Sequence, residues 1–208
     1  MKKINFIRTM KGAGTTVQSI LDSHRHQTYV LLAENVYEHG KKTNSWAGSN
    51  IYYNRAQTDL MSNPRFCSPS SWTFGFVRNP WDRMVSAWKW ATGGKMSFRQ
   101  FVTTDIKDMD SKLLIVRPLH VMQIKQTQFK LLTDKNNDIG LLDHICRFEN
   151  IDKEVKLIRE KLGVNTNQPV PHLRATSHKY YKEYYTDDLV DMMAKEYEID
   201  IRTFKYEY

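Results

Sequence analysis

Two short stretches of this chain carry residue types suited to holding an anion. Lys11-Gly12-Ala13-Gly14-Thr15-Thr16 combines a cation, small residues that let a phosphate approach the backbone, and two hydroxyls. Farther along, Arg78 precedes Asn79-Pro80, and Ser86 lies two helical turns beyond. A guanidinium backed by a hydroxyl suits a phosphate clamp. Taken singly, each stretch has a plainer reading: a surface turn for the first, a surface or capping arginine for the second.

The elements around them sharpen the reading. Ile4–Arg8 reads as a strand, and Val17, Ile20 and Leu21 share one face of a helical pattern running to about His26. A strand, a glycine-containing turn and a helix start bring free N–H groups and the positive end of a helix dipole to one place. The order is not that of a Walker A loop, because Lys11 precedes the glycines. Thr73–Val77 is an apolar run suited to a strand buried on both faces. Asn79 and Pro80 are an N-cap acceptor and a first-position proline, and Asp82 falls at the third helical position, facing free N–H groups. Trp81, Val85 and Trp88 recur at helical spacing as the buried face, which leaves Arg78 at a strand's carboxyl end and Ser86 on another helix face. In open α/β sheets, ligands bind past such strand ends.

Phe76-Val-Arg-Asn-Pro-Trp-Asp-Arg-Met-Val-Ser-Ala-Trp88 closely resembles the 3′-phosphate-binding segment of sulfotransferases that use 3′-phosphoadenosine-5′-phosphosulfate (PAPS). The Lys11–Thr16 string is similar to the 5′-phosphosulfate loop of the same family, in the family's order. The resemblance implies an α/β fold with a P-loop-NTPase-like central parallel sheet flanked by helices, residues 1–208 forming a single sulfotransferase domain. It implies Lys11 as the catalytic cation, with Lys11, Gly12, Ala13, Gly14, Thr15 and Thr16 around the 5′-phosphate. Arg78 and Ser86 then take the 3′-phosphate, and the basic loop containing Arg174 and Lys179 folds over the cofactor. The product is 3′-phosphoadenosine 5′-phosphate, and the acceptor is a glycan or small hydroxyl compound. The family places a base histidine between the two motifs, where His24, His26 and His39 stand; His39 is the expected base. His120-Val-Met-Gln123 is similar to a family segment and reads as substrate-cleft lining, with a structural role as the alternative. Gly12 departs from the family's Thr or Ser, which removes a hydrogen bond worth about 1 kcal/mol.

Other expectations come from composition and local signals. The 208 residues are 40% hydrophobic and 26% charged, in the range of an ordinary globular protein. Lys+Arg 31 against Asp+Glu 23 gives a net charge of +8, which favours anionic partners, but no basic block of the nucleic-acid kind is present. Cys67 and Cys146 lack CxxC spacing and read as two reduced thiols; no metal is expected, since Lys11 and a helix start supply positive charge. The start of the chain breaks its apolar run at Arg8 and does not read as a signal peptide. No window approaches the ~20 apolar residues of a membrane span, and a cytoplasmic protein is the default.

Further elements expected are a strand at Tyr29–Ala33, mostly loop over Glu34–Pro69 with a short helix near Arg55–Met61, and a capping box from Ser97 to Gln100. A strand at Leu142–Phe148, a helix at Ile151–Leu162 and a last helix capped by Thr186 follow. Two other function classes share this architecture. One is a nucleotide-dependent kinase, which the lysine order disfavours; the other is a degenerate module that binds nucleotide or an anionic glycan without turnover.

Overall fold

In the computed structural model, which describes residues 3–22, 28–32, 50–53, 71–133, 137–140, 142–171 and 178–208, five strands run parallel. They are β1 (Lys3–Arg8), β2 (Thr28–Leu32), β3 (Asn50–Tyr53), β4 (Ser71–Val77) and β5 (His144–Arg147), ordered β3-β2-β1-β4-β5. The expected α/β architecture, a parallel sheet flanked by helices, is the one observed. Strands β2 and β3 extend to one side of β1, and β4 and β5 to the other. The winding therefore reverses between β1 and β4, whose carboxyl ends define the crevice where such sheets bind ligands. The strand at Asn50–Tyr53 lies in a stretch expected to be mostly loop. It is four residues long, and its pairing with β2 shows no local signature.

The α-helices among the described residues are α1 (Gly14–Asp22), α2 (Pro80–Thr92), α3 (Phe98–Thr103), α4 (Pro118–Lys125), α5 (Gln128–Leu132), α6 (Ile151–Leu162), α7 (Asp187–Glu196) and α8 (Glu198–Phe204). None is long and apolar enough to cross a membrane. The chain divides into two compact units, one from Met1–Val77 and Gln128–Arg174, the other from Arg78–Thr127 and Ala175–Tyr208.

The first unit holds the sheet. Phe6 and Phe74 face each other in register and stack at 5.0 Å, with Trp72 stacked on Phe74 at 4.8 Å. Val17 and Leu21 of α1 and Ile158 of α6 close the same core. Burial of both sheet faces explains why β4 reads as a near-continuous apolar run rather than an alternating one. Helix α6 has the expected bounds and stops at Gly163, whose φ of 69° lies in the left-handed region where a side chain is costly.

The second unit is helical and packs through aromatic rings. Trp88 meets Phe98 and Tyr184 edge-on, and Phe98 meets Tyr185 at 4.8 Å. Ser97 caps α3 as expected, accepting from Gln100 N. Thr186 precedes α7, which is not the last helix, and makes no side-chain cap bond. Its hydroxyl donates to Asp188 at 2.6 Å and accepts from Arg99 at 2.9 Å. The bidentate Arg99–Asp188 pair (2.7 and 2.8 Å) draws Thr186 into a side-chain network instead.

Candidate functional site

The turn from β1 into α1 is built from an unusual backbone. Lys11 and Ala13 have φ of 64° and 59°, a region sparsely occupied by residues with a Cβ. Gly12 lies between them. Such reversals of backbone hand turn successive N–H groups toward one concavity, a form that receives anions. The strain they store, about 1–3 kcal/mol per residue, is typical of ligand-binding turns. The N–H groups at the start of α1 have no intrahelical acceptor and add the positive end of its dipole.

Side chains hold this turn from below. Thr9 Oγ1 donates to the Phe76 carbonyl at 2.6 Å, tying the end of β1 to β4. A Cβ on Gly12 would come within 2.5 Å of Thr9 Oγ1 and 3.2 Å of Phe76 O. A Cβ on Gly14 would meet Arg8 Nε at 2.4 Å, while Arg8 Nη1 donates to Gln18 Oε1 at 2.6 Å. Gly12 is therefore set by crowding. Gly12→Ser does not recover the hydrogen bond that its sequence departure suggests is missing. It forces Thr9 aside and lowers stability by about 1–3 kcal/mol, measurable as a lower urea midpoint. The Thr16 hydroxyl donates to the Pro171 carbonyl at 3.0 Å, so that hydroxyl is already engaged within the protein.

In the second unit, Arg78 leads into α2. The Asn79 side chain accepts from Trp81 N at 3.0 Å and Asp82 N at 3.3 Å, and Pro80 takes the first helical position, as its lack of an N–H allows. Asn79 Nδ2 also donates to the Glu207 carbonyl at 2.9 Å, so the cap anchors the C-terminal segment. Asn79→Ala costs about 1 kcal/mol, and Asn79→Asp, which keeps the acceptor, recovers most of it; paired melting curves test this. Arg78 Nε donates to Asp82 Oδ2 at 2.8 Å, and the two side chains are only 8% and 18% exposed. Asp82 thus orients the guanidinium in addition to facing the helix start. Ser86 is buried on α2.

Around this segment, Tyr185 donates its hydroxyl to Trp81 O at 3.0 Å. Burial pushes the phenols of Tyr181, Tyr185 and Tyr197 above the ordinary tyrosine range, so they act as neutral groups. Arg83 is fully buried and donates to Gln126 O at 3.0 Å. Burial pulls its pKa down, and Tyr197 and Asp200 oppose that shift.

Among the remaining candidates, Lys179 is exposed and lies 3.4 Å from Glu183. Gln123 is 1% exposed, yet among the described residues neither atom of its amide has a hydrogen-bond partner, and the same is true of His120 Nδ1. His24, His26, His39, Arg55–Met61, Cys67 and Arg174 lie outside the described residues. Three participants escaped the motif reading. The Arg78–Asp82 pair was signalled by its i,i+4 spacing. The Thr9–Phe76 bond and the Arg8 side chain over Gly14 have no sequence signal, because strand pairing creates the first and the turn creates the second.

Residues 1–207 match the pattern of the sulfotransferase family. The crystal structure of a sulfotransferase from Alicyclobacillus acidocaldarius is similar in fold, with a TM-score of 0.52. It is 12% identical, over 100% of this chain and 97% of that one. No curated protein is significantly similar to the chain in sequence.

Proposed function

Because the chain belongs to the sulfotransferase family, we propose that it moves a sulfuryl group from PAPS to an acceptor hydroxyl on a glycan or small molecule. The observation that carries this reading is the β1–α1 turn. Lys11 and Ala13 are held in the left-handed region around Gly12, a position with no room for a Cβ. Such a cradle fits the 5′ end of a phosphorylated nucleotide. The family match over nearly the whole chain supports reading it as one sulfotransferase domain.

PAPS supplies the activated sulfuryl group when bound. The backbone N–H groups of Gly12, Ala13, Gly14, Thr15 and Thr16, with the Thr15 hydroxyl, hold the 5′-phosphate. The Lys11 ammonium stabilises the charge that gathers on the leaving phosphate oxygen. Arg78, oriented by Asp82, and Ser86 take the 3′-phosphate, and Arg174 and Lys179 cover the nucleotide. His39 takes the proton of the acceptor hydroxyl. The amide of buried Gln123, which has no hydrogen-bond partner among the described residues, supports the reading of His120 and Gln123 as cleft lining, since such a group calls for a ligand or water. A cytoplasmic location belongs to the same proposal.

The test is a transfer assay with sulfur-labelled PAPS against a panel of glycans and small alcohols, with calorimetry of 3′,5′-ADP alongside. Label on at least one acceptor and saturable 3′,5′-ADP binding are expected. Absence of nucleotide binding would overturn the reading. Binding without transfer to any acceptor would replace it with the non-catalytic module.

A further inference from the structure

Away from the Lys11 turn, His144, Cys146 and Glu154 bring an imidazole nitrogen, a sulfur and a carboxylate oxygen within 4.8 Å of one another. Two periodicities produce this. His144 and Cys146 are two apart on β5, so their side chains leave the same face of the sheet. Glu154 lies in the first turn of α6, and Ile158, one turn later, shares a core with Cys146. Strand β5 is one of the two edge strands among the described residues, with β4 between it and β1, so the cluster is separate from the β1–α1 turn.

The cluster has the anatomy of a supported ligand set. His144 Nε2 lies 2.7 Å from Glu154 Oε2, and Glu154 Oε1 accepts from Arg147 N at 3.3 Å. Trp72 stacks on the imidazole at 6.2 Å and fixes the ring's plane. Cys146 is fully buried and Glu154 nearly so, whereas the His144 side chain is 34% exposed. One side is therefore a dry, shaped wall, and the other is open to solvent.

We propose that His144, Cys146 and Glu154 form a binding site for a zinc-class divalent cation, with water entering beside His144 as the fourth ligand. A nitrogen, a thiolate and a carboxylate suit borderline metals such as zinc or cobalt, whereas magnesium and calcium favour oxygen alone. Three protein ligands and a water give the tetrahedral set that zinc adopts. Donor atoms bound at ~2.0–2.3 Å lie roughly 3.3–3.8 Å apart. The His144–Glu154 pair, now 2.7 Å apart, opens on binding and the wider separations, within 4.8 Å, close, each by a side-chain shift of about 1 Å. The backbone N–H of Arg147 and the ring of Trp72 are the supports that hold ligands in orientation. In the absence of a cation, burial and the neighbouring Glu154 push the Cys146 thiol up and keep it protonated. A divalent cation reverses that preference, the thiol proton passing to buffer on binding. The thiolate and carboxylate together neutralise the cation. The bound metal would staple β5 to α6.

Cobalt(II) titrated into chelator-stripped full-length protein tests the site. A single equivalent should produce thiolate-to-cobalt charge-transfer absorption, which zinc then bleaches by displacement. Zinc at about a hundredfold its Kd should raise Tm by roughly 5–10 °C. Cys146→Ala should abolish the charge-transfer band, while Cys67→Ala leaves it intact. Glu154→Gln, nearly isosteric, should weaken cobalt binding at least about tenfold, and it decides the matter should Cys146→Ala not fold. A wild-type protein without the band or without the zinc-induced rise overturns the proposal. So does a band that survives Cys146→Ala or is unaffected by Glu154→Gln.

Discussion

Lys11→Ala is expected to lower the rate of sulfuryl transfer by roughly 10²–10³-fold while weakening 3′,5′-ADP binding far less. The asymmetry follows from when the charge appears. As the bond from sulfur to the bridging oxygen lengthens, negative charge builds on the 5′-phosphate, and an ammonium at the turn stabilises that state more than the ground state. On the proposed reading, the nucleotide product lacks the sulfuryl group and would be gripped largely by backbone N–H groups, which the substitution leaves in place. The positive φ of Lys11 costs alanine as much as lysine, so the turn itself is not relaxed by the change. Turnover under saturating PAPS and calorimetric affinity for 3′,5′-ADP separate the two effects. If both fall by the same factor, Lys11 is a binding residue only and the chain is better read as a nucleotide-holding module.

The second large effect belongs to Arg78. Arg78→Ala removes a charge-assisted contact proposed to reach the 3′-phosphate, and it should weaken 3′,5′-ADP by about 10–100-fold. Binding of adenosine 5′-phosphate, which has no 3′-phosphate, should not change. The substitution also strands Asp82, whose carboxylate is 18% exposed and loses its 2.8 Å partner. A stability loss of about 1–3 kcal/mol is expected on that account. The double variant Arg78→Ala with Asp82→Asn removes the stranded charge and should regain stability without regaining affinity. Equal weakening of both nucleotides would show that Arg78 does not discriminate the 3′-phosphate, and its role would reduce to pairing with Asp82.

Both experiments rest on short stretches whose local structure was open to a reader of the sequence. The β1–α1 turn was legible because glycines, a lysine and hydroxyls follow an apolar run and precede a helical period. The start of α2 was legible because Asn79 and Pro80 can do little else but begin a helix. Helix α6 was legible to the residue, since its apolar period and Gly163 mark both limits. Thr186 was misjudged because a cap preference of about 1 kcal/mol is easily outbid by a bidentate Arg99–Asp188 pair that attracts the same hydroxyl.

What the chain carried in its order of residues was thus every feature that depends on neighbours within a few positions: caps, helix faces, buried strands, and the turn that interrupts them. Tertiary structure alone decided the strand at Asn50–Tyr53, the crowding that forbids a side chain at Gly12, the Thr9–Phe76 tie and the meeting of His144, Cys146 and Glu154. Each of these arises from strand register or from a helix laid on a sheet. Such contacts join residues that share no local pattern, because only folding brings them within the few ångströms over which packing and hydrogen bonding act.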